Sequence, residues 1–246
     1  MRHPRRLDIE RAGQAAVARR LAAWALLGAM VALGGRATAA SDPGLPRAPQ
    51  MQFVPPPAGT YALERIQPCP EAELLDSTAQ RRRLSDLTRD KITLLTFFYT
   101  HCTDPLGCPF ASGLMAALRD RILADPQLRA NVRFVSISFD PSDDSPGELR
   151  RYAHGLADKA HFEWDFLTAP SIKRLQPLLD DLGQDVRVEK DRNGRPVRAI
   201  NHMLKLFLID PRGTVREIYA LDYLQPDVML NDIRTLQLEA QGRALR

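Results

Sequence analysis

Apolar segments of strand length alternate along the chain with segments in which apolar residues recur at helical spacing. The two longest strands are predicted at 92–99 (ITLLTFFY) and 132–139 (VRFVSISF). The first is apolar at most positions, which is the pattern of a strand covered on both faces of a sheet. Between the two strands, a helix is predicted from apolar residues spaced by four, namely Phe110, Leu114, Leu118 and Ile122.

The same alternation continues to the end of the chain. A helix is predicted to begin at Pro146 with Ser145 as its N-cap, and Asn193-Gly194 predicts the turn of a β-hairpin. The other predictions are a solvated turn at Arg81-Arg82-Arg83, a helix from Ser171, strands at 73–76, 162–167, 204–209 and 215–219, and a last helix at 226–240. This order predicts an α/β fold with a central mixed sheet and helices on both faces.

The first 39 residues have the pattern of a secretory signal. Six arginines come first, an apolar segment follows at 21–33, and Ala37-Thr38-Ala39 fits a small-x-small cleavage site. The apolar segment is short for a membrane span, which needs roughly 20 residues. We therefore predict an exported protein of the periplasm or cell envelope. An uncleaved N-terminal anchor, which would attach the protein to the membrane, is the alternative.

Composition and charge divide the chain into three parts. Residues 1–39 are predicted to be the signal peptide, the proline-rich residues 40–60 a linker, and residues 61–246 the folded domain. The formal net charge of +4 comes from the first part, which holds seven arginines and two acidic residues. The remainder has 27 basic and 28 acidic residues, so the sequence gives no indication of a nucleic-acid-binding surface.

Two cysteines flank the loop between the first long strand and its helix. Cys102 and Cys108 are separated by five residues, among them Pro105 and Gly107, which permit a tight turn. The N-terminus of the following helix supplies partial positive charge and free N–H groups, which favour a thiolate. A reactive thiol loop at this place in an α/β order predicts a thioredoxin-like fold.

Three motifs resemble those of the Sco/SenC copper chaperones, which are thioredoxin-fold proteins that deliver copper to cytochrome c oxidase. Residues 97–109 (FFYTHCTDPLGCP) resemble the cysteine loop of the family, and 135–146 (VSISFDPSDDSP) resemble its second signature. Asn201-His202-Met203, followed by LFLIDPRG at 206–213, resembles its histidine motif. The three motifs come in the family's order, and the resemblance covers roughly residues 70–240.

The resemblance implies that Cys102, Cys108 and His202 bind a copper ion. It also implies that the protein helps to metallate a respiratory copper oxidase, with an oxidase subunit or another copper chaperone as its partner. Thiolate and imidazole are ligands that suit Cu(I), so the chemistry agrees with this assignment. Two departures from the family pattern are present. Five residues separate the cysteines where the family usually has three, and Asn201 stands where it usually has Asp.

Other functions compete with copper binding for the two thiols of the loop. In an oxidising compartment Cys102 and Cys108 can pair, either as a reversible redox disulfide or as a simple staple. A thiol–disulfide oxidoreductase is therefore the second hypothesis, and a secreted interaction domain with a structural disulfide is the third. Cys69, between two prolines, is interpreted as a loop or edge-strand thiol without function. A disulfide to one of the other cysteines, or a role as an extra metal ligand, is the alternative.

The remaining candidate residues receive structural interpretations. His101 is a second-choice ligand, because adjacent residues of a strand point to opposite faces. Asp140 is expected to shape its loop near the cysteines. His154 and His161 are expected at the surface, and Met115 and Met203 are expected to be packing residues.

Cleavage of the predicted signal peptide can be tested directly. We predict that exported protein begins near Ala40, because the small residues at 37–39 fit the recognition pattern of a signal peptidase. N-terminal sequencing of protein recovered from the cell envelope measures this directly. Recovery of protein that retains residues 1–35 would show instead that the segment is an anchor.

Overall fold

The computed structural model describes residues 54–157 and 162–242. The predicted signal peptide, most of the predicted linker and His161 lie outside these residues. The strands are β1 Gln67–Pro68, β2 Glu73–Asp76, β3 Arg81–Arg83, β4 Ile92–Phe98, β5 Val132–Ser138, β6 Trp164–Thr168, β7 Val186–Lys190, β8 Pro196–His202, β9 Lys205–Ile209 and β10 Thr214–Ala220. The helices are α1 Leu84–Thr88, α2 Cys108–Leu123, α3 Pro126–Asn131, α4 Pro146–Ala153, α5 Ile172–Asp181 and α6 Pro226–Ala240, with a short 3-10 helix at Leu221–Tyr223.

Eight of these strands form one mixed sheet, in the order β1-β10-β9-β4-β5-β6-β2-β3. The pairs β4–β5 and β5–β6 are parallel and the others are antiparallel. Helices α2, α3 and α6 pack together, and α4 packs against β6. The predicted α/β class and mixed sheet are therefore confirmed. In the part of the chain that the structure describes, no helix is both long and apolar enough to cross a membrane.

The core lies around the two central parallel strands. Every residue of β4 and of β5 is buried, as the mostly apolar pattern of β4 predicts, and in β5 this includes the polar Arg133, Ser136 and Ser138. The two strands are in register from Ile92 opposite Val132 to Phe98 opposite Ser138, so they end at the same edge of the sheet. The loop after β4 carries the cysteines, and it therefore lies beside the loop after β5.

A buried carboxylate joins these two loops. Asp144, in the loop after β5, is fully buried. It accepts hydrogen bonds from the backbone N–H of Thr100 at 3.0 Å, from the Thr100 hydroxyl and from the Ser138 hydroxyl. A buried polar group of this kind is costly unless its hydrogen bonds are made. The start of the cysteine loop is thus fixed by two hydrogen bonds from Thr100 to this carboxylate, and Ser138 at the end of β5 holds the carboxylate in place.

The hairpin of β7 and β8 forms a separate two-stranded sheet. Its turn contains the predicted Asn193-Gly194, with Gly194 at a φ of 75° and the Asp191 carboxylate accepting two backbone N–H groups. His202 is the last residue of β8 and lies opposite Val186. The hairpin therefore carries the predicted histidine ligand at its base.

One predicted turn is wrong. Arg81–Arg83 forms the edge strand β3, paired antiparallel with β2, with Arg82 opposite Leu74. Each arginine makes an ion pair with an acidic side chain on β2, on β6 or just before β2, namely Glu73, Asp76, Asp165 or Glu71. Charged side chains are common on edge strands, where they oppose pairing with other chains.

A buried ion cluster fastens the N-terminal part of the domain. The side chain of Arg216 on β10 is 3% exposed and pairs with Asp210 at 3.0 Å and with Glu239 on α6 at 2.9 Å. It also donates to the carbonyl oxygens of Leu63 and Glu64. Earlier in the same helix, the side chains of Asn231 and Thr235 form hydrogen bonds with the backbone of Pro56 and Gly59. The last residues of the predicted linker therefore also lie against α6.

This cluster leads to a test of stability. We expect Arg216→Met to lower the free energy of unfolding by about 3 kcal/mol or more, because Asp210 would keep a buried charge without its partner. Urea unfolding of the reduced protein measures the change. The matched control is Arg212→Met at an exposed position, which should change stability by about 0.5 kcal/mol or less. Equal effects of the two substitutions would contradict the role of the cluster.

Candidate functional site

The cysteine loop makes its own compact turn between β4 and α2. After Tyr99 the chain reverses, and the N–H of Cys102 donates to the Tyr99 carbonyl at 3.3 Å. The Asp104 carbonyl accepts the N–H of Gly107 at 3.0 Å, and its carboxylate accepts that of Leu106 at 3.0 Å. The five-residue spacing is taken up in this turn, and Cys108 becomes the first residue of α2.

Gly107 allows the two thiols to approach each other. A Cβ atom at this position would lie 3.1 Å from the sulfur of Cys102 and 3.3 Å from the Cβ of Asp104. Both distances are shorter than ordinary van der Waals contact, so a larger residue would push the Cys102 side chain outward. Glycine at this N-cap position therefore lets the Cys102 sulfur turn back towards the start of α2.

The two thiols have opposite protonation tendencies. The pKa of Cys102 is lowered to about 5, mainly because the Cys108 side chain hydrogen-bonds to its sulfur, with further bonds from the backbone of Cys108 and Asp104 and from Tyr99. These contacts outweigh partial burial, which acts in the other direction. The pKa of Cys108 is raised by the same hydrogen bond, by burial and by the negative charge of Cys102. The pair thus holds one thiolate, on Cys102, and one thiol, on Cys108.

His202 faces this pair from the hairpin. Its Nε2 lies 3.9 Å from the sulfur of Cys108, and its Nδ1 lies 3.1 Å from the carbonyl oxygen of Ile200. Because a carbonyl only accepts hydrogen bonds, Nδ1 donates in this contact, and Nε2 is the ring nitrogen that faces the sulfur. The ring packs against Phe139 and Tyr99, with centroid distances of 4.7 and 5.9 Å. These contacts fix its orientation.

Cys102 and His202 both lie against the buried thiol of Cys108. Two ligands of one ion, with bonds of about 2.3 Å to sulfur and 2.0 Å to nitrogen, lie roughly 3.5–4.3 Å apart. The 3.9 Å between Cys108 Sγ and His202 Nε2 falls in this span. Within residues 54–157 and 162–242, no three His, Cys, Asp or Glu side chains are already arranged to hold a metal ion. The Cys102 sulfur would have to turn towards the other two donors for all three to bind one ion.

A cleft of about 540 Å³ opens over the Cys102 thiol and is lined by Cys102, His202, Leu106 and Met203 among other residues. Met203 is 60% exposed, so its predicted role as a packing residue is wrong. It follows the end of β8, where the chain crosses from the hairpin to β9, and its backbone is held by Gln184 Nε2, which donates to its carbonyl at 2.9 Å. Met115 is fully buried in α2, as predicted.

The other candidate residues lie around the site without joining it. His101 is exposed next to Cys102, and His154 is exposed at the end of α4. The carbonyl of Asp140 accepts the N–H groups of Asp143 and Asp144, so Asp140 helps to form the loop after β5. Asn201 is exposed on β8. The sequence did not identify Asp144 as a residue that fixes the cysteine loop, because only the pairing of β4 with β5 brings it to Thr100.

Cys69 lies at the other end of β4. Its N–H donates to the Gly213 carbonyl at 2.8 Å, and its side chain hydrogen-bonds to Thr88, which precedes β4. Burial raises the pKa of its thiol to about 11. The seven residues of β4, which span about 20 Å, separate it from the cysteine loop. All three cysteines are free thiols in the structure.

Comparison with known proteins agrees with the motifs. The SCO1/SenC family model matches residues 70–237. The SCO1 protein homolog of Bacillus subtilis is 24% identical over 148 residues, which cover 60% of this chain and 72% of that protein.

Two solved structures share the fold. One is Arabidopsis thaliana ScoI with copper bound, which has a TM-score of 0.58 and 19% identity and covers 69% of this chain and 98% of that one. The other is BsSco, a member of the Sco family of cytochrome c oxidase assembly proteins in which a disulfide switch was identified. It has a TM-score of 0.56 and 22% identity, and the coverage is 72% of this chain and 98% of that one. The family match spans more than half of the chain, includes all the residues of the cysteine and histidine motifs, and coincides with this fold, so the chain belongs to the SCO1/SenC family.

Proposed function

We propose that the protein is a copper chaperone of the cell envelope, which binds Cu(I) through Cys102, Cys108 and His202 and passes it to a respiratory copper oxidase. Another copper chaperone is the alternative partner. The observation that carries the proposal is the position of His202 Nε2, 3.9 Å from the sulfur of Cys108, which in turn hydrogen-bonds to Cys102. A dithiol enzyme has no need of an imidazole at this place.

The donor set fits the cargo. Cu(I) is a soft ion that prefers thiolate, and neutral imidazole also suits it. Cys102 already holds a negative charge, and Cys108 would release its proton to solvent when its sulfur binds the ion. His202 would bind through the lone pair of Nε2, while its Nδ1–H stays bonded to the Ile200 carbonyl. Copper affinity should therefore fall as the pH is lowered.

Relatives support both the cargo and the class of recipient. The ScoI protein of Arabidopsis thaliana was solved with copper bound, and BsSco belongs to a family of cytochrome c oxidase assembly proteins. Export to the cell envelope, by the predicted signal peptide or with it kept as an anchor, would bring this chain to the compartment of such a recipient.

A second function is supported by the state of the thiols. A thiolate on Cys102 beside the Cys108 thiol is the arrangement from which a disulfide forms, and BsSco contains a disulfide switch. We propose that Cys102 and Cys108 also form a reversible disulfide and that Cys69, at the far end of β4, stays outside it. A thiol–disulfide oxidoreductase is the function that remains if copper does not bind.

The histidine separates the two functions. We expect His202→Ala to weaken Cu(I) binding about 10–100-fold, taking as a lower guide the losses caused by removing groups that hydrogen-bond to metal ligands. The same variant should still form the Cys102–Cys108 disulfide, because thiol exchange depends on thiolate access and pKa. Competitive Cu(I) titration against a chromophoric chelator, beside a dithiol redox titration, measures both properties.

The matched control is His154→Ala, which removes an exposed imidazole away from the cleft and should leave both properties unchanged. Cys102→Ser and Cys108→Ser should abolish both. If His202→Ala binds Cu(I) as tightly as the parent, His202 is not a ligand and His101 becomes the next candidate. If the reduced parent binds no Cu(I), the chaperone proposal fails.

The hydrogen bond between the two thiols can be tested by the pH dependence of Cys102 reactivity. In reduced protein, Cys102 should react with iodoacetamide with a midpoint near pH 5, because its thiolate is the nucleophile and is lost as the pH falls through that value. Buried Cys108 should stay unreactive at the same pH. Cys108→Ala should move the midpoint of Cys102 upward, towards the ordinary value of about 9, since the main stabilising contact is gone. Peptide mass mapping of the alkylated protein follows each thiol. A midpoint unchanged by Cys108→Ala would contradict the assigned cause.

A further inference from the structure

We infer that the thioether of Met203 is a capture ligand for Cu(I) at the mouth of the cleft, in front of the site formed by Cys102, Cys108 and His202. The inference rests on the proposed function, and it adds a residue that binds the ion on its way in and out. A thioether is a soft, neutral sulfur donor of the kind that Cu(I) accepts.

Met203 is among the most exposed of the large apolar residues that the structure describes. It is 60% exposed, whereas its chain neighbours His202 and Leu204 are half-buried and buried. Burial of such a side chain stabilises a folded protein, and at this exposure most of that gain is absent. Packing therefore does not account for a large apolar residue here.

The backbone at this position is held in place. The side-chain amide of Gln184, a residue that is 3% exposed, donates to the Met203 carbonyl at 2.9 Å. The preceding residue, His202, is fixed by the contact of its ring with the Ile200 carbonyl and by Phe139. Met203 thus presents a flexible side chain from an anchored point beside the imidazole, in the same cleft as Cys102.

The four donors differ in their access to solvent. Met203 is exposed, Cys102 and His202 are half-buried and Cys108 is fully buried. An ion that comes through the cleft therefore reaches the thioether before it reaches the buried thiol. The thioether carries no proton, so the first bond to copper forms without proton release.

The transfer balances as a series of ligand exchanges. The Met203 sulfur forms a bond to Cu(I) as one ligand of the external carrier leaves, and copper remains in the +1 state. The Cys102 thiolate and His202 Nε2 then bind as the remaining ligands of the carrier leave, and Cys108 binds last as its proton passes to water. Met203 leaves the ion at that stage, so it is absent from the final donor set. Release follows the same steps in reverse.

This order predicts a kinetic signature. A ligand that binds only during passage speeds capture and release by the same factor and leaves the equilibrium affinity unchanged. We expect Met203→Leu, which keeps size and apolarity but removes sulfur, to slow both rates about fivefold or more and to change affinity by about twofold at most. His202→Ala should instead change the affinity.

The experiment uses the full reduced chain under anaerobic conditions. Stopped-flow absorbance follows the loss of colour when protein takes Cu(I) from its bicinchoninate complex, and the return of colour when excess chelator removes it. The matched control is Leu106→Ala, because Leu106 is a 46% exposed apolar residue in the same cleft and has no sulfur. It should leave both rates unchanged.

Each result decides the inference. The inference is supported if capture and release are slowed equally in Met203→Leu and are unchanged in Leu106→Ala. Unchanged rates in Met203→Leu overturn it, as does equal slowing in Leu106→Ala, which would assign the effect to the shape of the cleft. A loss of affinity in Met203→Leu as large as that in His202→Ala also overturns it, because Met203 would then be a resident ligand. If the parent takes no Cu(I), the proposed function itself fails, and this outcome is distinct from the others.

Discussion

The parallel pairing of β4 with β5 is the constraint on which the site depends. Because the two strands run in the same direction and in register, the loops that follow them meet at one edge of the sheet. One loop carries both cysteines, and the other carries Asp144, whose buried carboxylate holds the backbone and hydroxyl of Thr100. Strand β9, antiparallel to β4 on its other side, begins at the same edge, and the chain enters it directly from His202. Three segments that lie far apart in the sequence thus converge at one edge of the sheet.

The second level of organisation is electrostatic. Two thiolates so close together would repel each other. The Cys108 thiol instead donates a hydrogen bond to the Cys102 thiolate, so the pair carries one negative charge. The N-terminus of α2 and the Tyr99 hydroxyl support the charge on Cys102, while burial keeps Cys108 protonated. The imidazole of His202 places a nitrogen atom beside this pair and adds no negative charge. A singly charged, soft ion fits such a site better than a small divalent cation does.

Much of the fold could be predicted from the hydrophobic pattern, because its strongest signals are local. The central strands, helix α2 and the last helix were predicted close to their observed bounds, and the hairpin was predicted from its Asn193-Gly194 turn without bounds for β8. The wrong turn at Arg81–Arg83 shows the limit of that approach. Three consecutive arginines carry no strand signal, and they form β3 by backbone pairing with β2, beside acidic side chains that also pair with them.

The candidate site could be predicted in its residue types but not in its arrangement. The motifs named both cysteines and the histidine, yet the approach of their donor atoms depends on Gly107, Tyr99 and Asp144, which act through tertiary contacts. The role of Met203 was also predicted wrongly from its local sequence. An apolar residue before an apolar strand was expected to pack, but the crossing from β8 to β9 leaves its side chain in the open cleft.

X-ray absorption at the copper edge is the measurement that tests the central claim most directly. Reduced protein loaded with one equivalent of Cu(I) should show two sulfur ligands and one nitrogen ligand from an imidazole ring, and His202→Ala should lose the nitrogen contribution while keeping both sulfurs. A spectrum with sulfur ligands alone, or an imidazole signal that persists in His202→Ala, would contradict the assignment of Cys102, Cys108 and His202 as the copper site.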